Sequence, residues 1–147
     1  LSAIYPDADV PVLQLSMDAS KPISWHYEVG RALRPLREQG VLILGSGNVV
    51  HTLVQMEWNI DAPPHDWAQR FNDLVINVVE TDTPQRLFDH EALGKDATLA
   101  VPPEDLGHYW PLFYVLGSRH ASDKLTMQPR HVQYKSLSML SFVLDSA

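Results

Sequence analysis

The stretch Val41-Leu42-Ile43-Leu44-Gly45-Ser46-Gly47-Asn48 decides the fold class, because an apolar, partly β-branched run passes at once into a glycine-rich turn. Four such residues bounded by a turn signal read as a buried strand. Immediately upstream, Trp25, Val29, Ala32, Leu33 and Leu36 recur at helical spacing and define one apolar face. Ser20-Lys21-Pro22 opens that helix, with Ser20 as N-cap and proline in the first turn, and Gly40 ends it. Pro35 inside it predicts a kink or an early break. Further back, Val10-Pro11-Val12-Leu13-Gln14-Leu15-Ser16 reads as another short buried strand. Strand, helix, strand over this distance is a βαβ unit, which implies parallel pairing.

Downstream, Asp61 to Pro64 is a loop, and His65 to Glu80 is a helix with Trp67, Phe71, Leu74, Val75 and Val78 on one side. A short helix is expected over Pro84 to Glu91, and Ala92 to Val101 reads as irregular. Pro102-Pro103-Glu104 starts a further helix that buries Leu106, Trp110, Phe113 and Tyr114 and stops at Gly117. Ser136 to Leu144 alternates polar and apolar residues, the pattern of a half-buried strand. The class is α/β, with a central, mostly parallel sheet flanked by helices.

Composition narrows the function. The 147 residues suit one domain, and 45% hydrophobic content suits a packed core. A net charge of −7 with no basic cluster argues against nucleic-acid binding. The absence of cysteine removes disulfides, thiolate metal sites and a cysteine nucleophile, and fits a reducing compartment. The start, Leu1-Ser2-Ala3-Ile4-Tyr5, lacks the basic region and apolar stretch of a signal peptide. No segment approaches the roughly 18 apolar residues of a membrane span. A cytoplasmic protein is expected, and the missing initiator methionine hints at further sequence upstream.

Seven histidines in an acidic chain are the candidates for chemistry. His51 follows Gly45-Ser46-Gly47-Asn48-Val49-Val50, just past the C-terminal end of an expected parallel strand, where open α/β sheets gather their ligands. The glycines allow backbone to approach a ligand closely. The alternatives are a tight turn with a surface histidine, or a phosphate cradle at Gly45 to Asn48, although no GxGxxG or P-loop pattern is present. His108, in an apolar helix, is either a neutral metal ligand or a hydrogen-bonded, half-buried histidine. Glu104 and Asp105 offer carboxylates, though acids in a first turn ordinarily serve the helix dipole. His26 and His65 read as solvated near helix starts, and His90, between Asp89 and Glu91, as an exposed polar cluster. His120 and His131 flank the loop of Ser118 to Arg130 and read as surface residues, with the lining of a substrate entrance as the alternative. No HExxH or GxSxG pattern occurs, so spacing alone names no reaction.

Four blocks in order carry a resemblance: Tyr5-Pro6-Asp7-Ala8-Asp9-Val10-Pro11 with Val12 to Ser16; Ser46-Gly47-Asn48-Val49-Val50-His51; His108-Tyr109-Trp110-Pro111-Leu112 with Tyr114-Val115-Leu116-Gly117; and Ser136-Leu137-Ser138-Met139-Leu140-Ser141. Together they resemble the 4,5-DOPA dioxygenase extradiol family, a branch of the class III ring-cleaving dioxygenases. The resemblance implies a non-haem Fe(II) enzyme that opens a catechol ring beside its two hydroxyls, using O2. It implies acid/base work for His51, with metal contact as a further role, and metal ligation for His108. Trp110 and Tyr114 would shape the pocket wall. Zinc, which imidazole ligands also suit, is an alternative occupant of purified material.

The family's further metal-site histidines lie in an N-terminal half, in a HGSP-like turn and a GFDHGSW-like segment that this sequence does not contain. The resemblance therefore implies that residues 1–147 are the C-terminal part of a single dioxygenase-like domain with an incomplete sheet. The missing half, or a second chain, would supply the other metal ligands. The alternative is a non-catalytic structural or binding subunit of the same fold.

Overall fold

The computed structural model of the chain describes residue 3 and residues 5–146. Leu1, Ser2 and Ile4, part of the stretch read above for a signal peptide, lie outside the described residues. The α-helices are α1 (Ile23–Arg37), α2 (Asp66–Thr81), α3 (Lys95–Ala100) and α4 (Pro111–Gly117). Four short strands follow, β1 (Lys124–Met127), β2 (Val132–Gln133), β3 (Leu137–Ser138) and β4 (Phe142–Asp145).

The core assembles on α2, which lies where its periodicity placed it. Ala68, Phe71, Asn72, Val75, Ile76, Val78 and Val79 are all buried, at the three- and four-residue spacing that lines one helix face. Trp67 and Leu74, expected on that face, pack only partly against the core. Asp82, in the left-handed conformation, ends the helix. Removing a side chain such as Phe71 from water contributes about 1.5–3 kcal/mol. Asn72 is the polar member of the face. Its amide donates to the Arg130 carbonyl at 2.9 Å and its oxygen accepts from Ser138 Oγ at 2.6 Å, which ties α2 to the β2–β3 region.

Helix α1 buries a different face from the one its apolar residues mark. Ile23, His26 and Gly30 are buried, while Trp25 and Leu36 stay exposed. Backbone proximity explains the choice. A Cβ on Gly30 would stand 2.4 Å from the Tyr114 carbonyl oxygen, and one on Gly117 would stand 2.2 Å from that of Tyr27. Only glycine lets α1 and α4 approach this closely. Pro22, not Ser20, is the N-cap; Ser20 instead bonds Asp18 through both its N–H and its hydroxyl. The helix runs through Pro35 to Arg37, and Gly40 supplies the positive φ of the turn that follows.

The expected central parallel sheet is not found among the described residues. Residues 10–16 and 41–44 pair with no strand, and their apolar side chains face water: Leu13 is 96% exposed and Leu42 65%. Among the described residues pairing is antiparallel, β1 with β4 and β2 with β3. A β-branched run is not enough for a ladder, which also needs a neighbouring strand to accept and donate. The alternating run 136–144 is split at residues 139–141 into β3 and β4, which join different sheets. Lys95–Ala100, read as irregular, is helical, and the 102–117 helix is a 3-10 turn (Pro103–His108) followed by α4. The 84–91 helix shortens to a 3-10 turn at Pro84–Leu87. The α/β mixture stands; its strands form two small sheets instead of one. No helix among the described residues is long and apolar enough to cross a membrane.

Candidate metal centre

His51 sits on a segment whose backbone is held from both sides. The His51 N–H donates to the Ala100 carbonyl at 2.7 Å, at the end of α3, and His51 bridges to Leu137 in antiparallel fashion. Its neighbours Val50 and Thr52 are buried. The Thr52 hydroxyl donates to the Leu99 carbonyl, and the Thr52 carbonyl accepts from Ser136 Oγ at 2.7 Å. The ring of His51 projects from this anchored backbone into a cleft of about 360 Å³, with Leu53, Val54, Pro102 and Asp105 among its walls.

The glycines before His51 do approach backbone closely, but it is the protein's own. A Cβ on Gly47 would lie 2.2 Å from the His108 carbonyl oxygen. The same oxygen accepts the Asn48 N–H at 2.7 Å. Gly47 thus lets the segment leading to His51 pass against the turn that carries His108. This contact occupies the side that a phosphate cradle would need, and that reading loses its support.

His108 ends the 3-10 segment Pro103–His108, which is kinked at Asp105. Asp105 is three residues before it. Its Oδ2 lies 2.9 Å from His51 Nδ1 and its Oδ1 lies 3.5 Å from His108 Nε2. The two imidazole rings are 4.2 Å apart, centre to centre. The structure therefore joins the two histidines singled out by sequence and adds Asp105, one of the two carboxylates that the sequence offered beside Glu104 with the helix dipole as the ordinary alternative. The side chain of His108 is 51% exposed, so the expected apolar wall around it is not formed by the described residues.

Ligand atoms of His51, Asp105 and His108 all fall within 4.8 Å of one another. Two imidazole nitrogens and one carboxylate are a donor set suited to a divalent first-row metal, and the residues present fit such an ion.

The remaining histidines divide by burial, against expectation in two cases. His26 is fully buried between α1 and α4, with Nδ1 3.0 Å from the Tyr114 hydroxyl and its ring stacked 4.7 Å from that of Trp110. Burial pushes its imidazole below the usual histidine range. His90 is buried too, sharing Nε2 with the Val101 carbonyl at 2.9 Å. Partners distant in sequence enclose both, Trp110 and Tyr114 for His26 and Phe71, Val101 and Tyr109 for His90. His65 caps α2 half-buried, His120 is half-buried, and His131 is exposed as expected. Tyr114 and Trp110 do not wall the His51 cleft. Tyr114 serves His26, and Trp110 lines a separate cleft of about 530 Å³ with Lys21, Ile23, Phe88 and Leu106.

Comparison with known proteins adds the following. The sequence profile of the catalytic LigB subunit of aromatic ring-opening dioxygenase matches residues 1–139. The chain is 42% identical over 147 residues to the 4,5-DOPA dioxygenase extradiol of Escherichia coli K12, covering 96% of this chain and 52% of that protein. It is 33% identical over 129 residues to the 4,5-DOPA dioxygenase extradiol of Beta vulgaris, covering 84% and 45%. The crystal structure of the uncharacterized protein JW3007 from Escherichia coli K12 superposes with a TM-score of 0.84 at 39% identity, covering 96% of this chain and 58% of that one. The chain spans about half the length of the curated relatives it matches.

Proposed function

Because this chain belongs to the LigB family of catalytic subunits of aromatic ring-opening dioxygenases, we propose that it carries part of the active site of an Fe(II)-dependent extradiol dioxygenase acting on a catechol such as DOPA. The observation that carries the proposal is the convergence of His51 and His108, 57 residues apart in sequence, on one point beside Asp105. In this reading His108 would hold the iron, and His51 beside it would do the acid/base work. An iron bound there would supply Lewis-acid binding of the diol and activation of O2. Zinc suits the same nitrogens and is an alternative occupant.

The chain's own contribution is proton handling and shape. His51 takes a proton from a catechol hydroxyl and returns it as the ring opens, a task suited to an imidazole because its ordinary pKa lies near neutrality. Leu53, Val54 and Pro102 line the cleft on its apolar side. The reaction adds both atoms of O2 across a ring bond next to the diol, leaving an aldehyde and a carboxylic acid.

The remaining metal ligands are proposed to come from outside these 147 residues, on the same polypeptide or a second chain. Residues 10–16 and 41–44 would then be strands of a sheet that this further segment completes. Their exposed apolar side chains support this, since an unpaired apolar edge ordinarily has a partner. An intact mass well above 16.6 kDa, or a second polypeptide that co-purifies, is the expected result. A lone, monomeric 16.6 kDa species would retract the completed sheet.

The activity is tested by oxygen uptake with DOPA and Fe(II) in the full polypeptide. His51→Ala and His108→Ala are each expected to abolish uptake with the unfolding temperature unchanged, and His108→Ala also to lower bound iron. Near-wild-type turnover in either would remove that residue from the site. The alternative, a non-catalytic binding subunit, predicts no uptake in the unaltered protein and equal thermal stability with and without Fe(II).

A further inference from the structure

Asp105 stands between His51 and His108, and its carboxylate is nearer His51. A carboxylate only accepts hydrogen bonds, so the His51 nitrogen 2.9 Å from Asp105 Oδ2 must carry the hydrogen. The distance to His108 is longer, 3.5 Å, and the Asp105 N–H is spent on the Pro102 carbonyl at 2.8 Å. The aspartate departs from helical backbone at φ −124 and ψ 23 inside its 3-10 turn. The backbone of His51 is already fixed by Ala100 and Leu137, which leaves ring rotation and tautomer as its remaining freedoms. One hydrogen bond from Nδ1 to Asp105 removes both.

We infer that Asp105 is the positioning residue of His51: it holds the imidazole as the Nδ1–H tautomer and leaves Nε2 bare as the nitrogen that receives the catechol proton. The inference rests on the acid/base reading of His51. A neutral imidazole has one donor and one acceptor nitrogen, so committing Nδ1 to donation decides which atom faces the substrate. Partners of this kind orient functional imidazoles, and losing them ordinarily costs about 10–100-fold in activity or metal affinity.

Asp105→Asn tests it, because an amide presents either its oxygen or its NH2 to Nδ1 and so withdraws the preference. Long-range proton–nitrogen spectra of histidine-labelled, metal-free full polypeptide should show His51 as Nδ1–H in the unaltered protein and as a mixture, or as Nε2–H, in Asp105→Asn. With Fe(II) and DOPA, kcat should fall about 10–100-fold with KM little changed and bound iron unaltered, and Asp105→Glu should recover part of the loss. An unchanged tautomer in Asp105→Asn would overturn the inference, and so would loss of iron, which would make Asp105 a ligand. Full turnover in His51→Ala would instead remove the acid/base reading, leaving the tautomer result to stand or fall alone.

Discussion

Asp123 and Asp105 each meet a basic side chain at hydrogen-bond distance, yet they sit in opposite surroundings. The Asp123 side chain is 0% exposed, and its two oxygens take the Arg37 guanidinium at 2.6 and 3.0 Å. Arg37 also donates to the Ser118 and Leu144 carbonyls, and Asp123 Oδ2 accepts the His120 N–H, so the pair bolts the last turn of α1 to β4 and to the segment before β1. Asp105 is 38% exposed, and its partner is an imidazole that opens onto a cleft. A pair whose carboxylate is fully enclosed holds structure. An open one, whose imidazole lines a cleft, can serve chemistry. The same residue type thus divides by burial and by what its partner still has to offer.

Removing Arg37 should give the largest stability effect. Arg37→Ala leaves a buried carboxylate without its partner, a change that costs about 3–5 kcal/mol. Urea unfolding of the full polypeptide would read it, and a loss below about 1 kcal/mol would place the pair with ordinary surface ion pairs.

Acid should act next, in two steps. His26 is pushed below the usual range by burial, so unfolding takes up a proton as the pH drops below about 6.5 and stability begins to fall there. Burial resists ionisation of Asp123, but the Arg37 guanidinium and the His120 N–H outweigh it and hold the carboxyl below the ordinary range. Its contribution is complete above about pH 4 and is lost as the pH falls through the lowered value. A stability profile flat from pH 7 to 5 would remove His26 from this account, and an unchanged acid limb in Asp123→Asn would remove the Asp123 step.

The smallest change in stability is expected at the other aspartate. Asp105→Asn should shift stability by no more than about 0.5 kcal/mol, as surface substitutions do, even while it slows turnover. A large loss would turn Asp105 into a second structural bolt and erase the contrast.

Much of the helical framework was legible locally. The face of α2 repeats within three or four residues, so its buried side is written into the segment itself. His51 and His108 were also legible as candidates, the first from its place after an apolar run and a glycine turn. Asp105 was legible only as one of two possible carboxylates, with the helix dipole as a sufficient local explanation until a histidine from elsewhere meets it. His26 and His90 were misjudged because the groups that enclose them are distant in sequence: Trp110 and Tyr114 for His26, Phe71, Val101 and Tyr109 for His90.

By itself, the sequence determined the buried face of α2 and which two histidines were candidates for chemistry, because periodicity and glycine act over a few residues. Only the tertiary structure decided which extended segments find partners, that α1 turns a glycine face to α4, and that Asp105 stands between His51 and His108. Those outcomes depend on groups far apart along the chain, and a hydrogen bond or close backbone contact between such groups has no local signature.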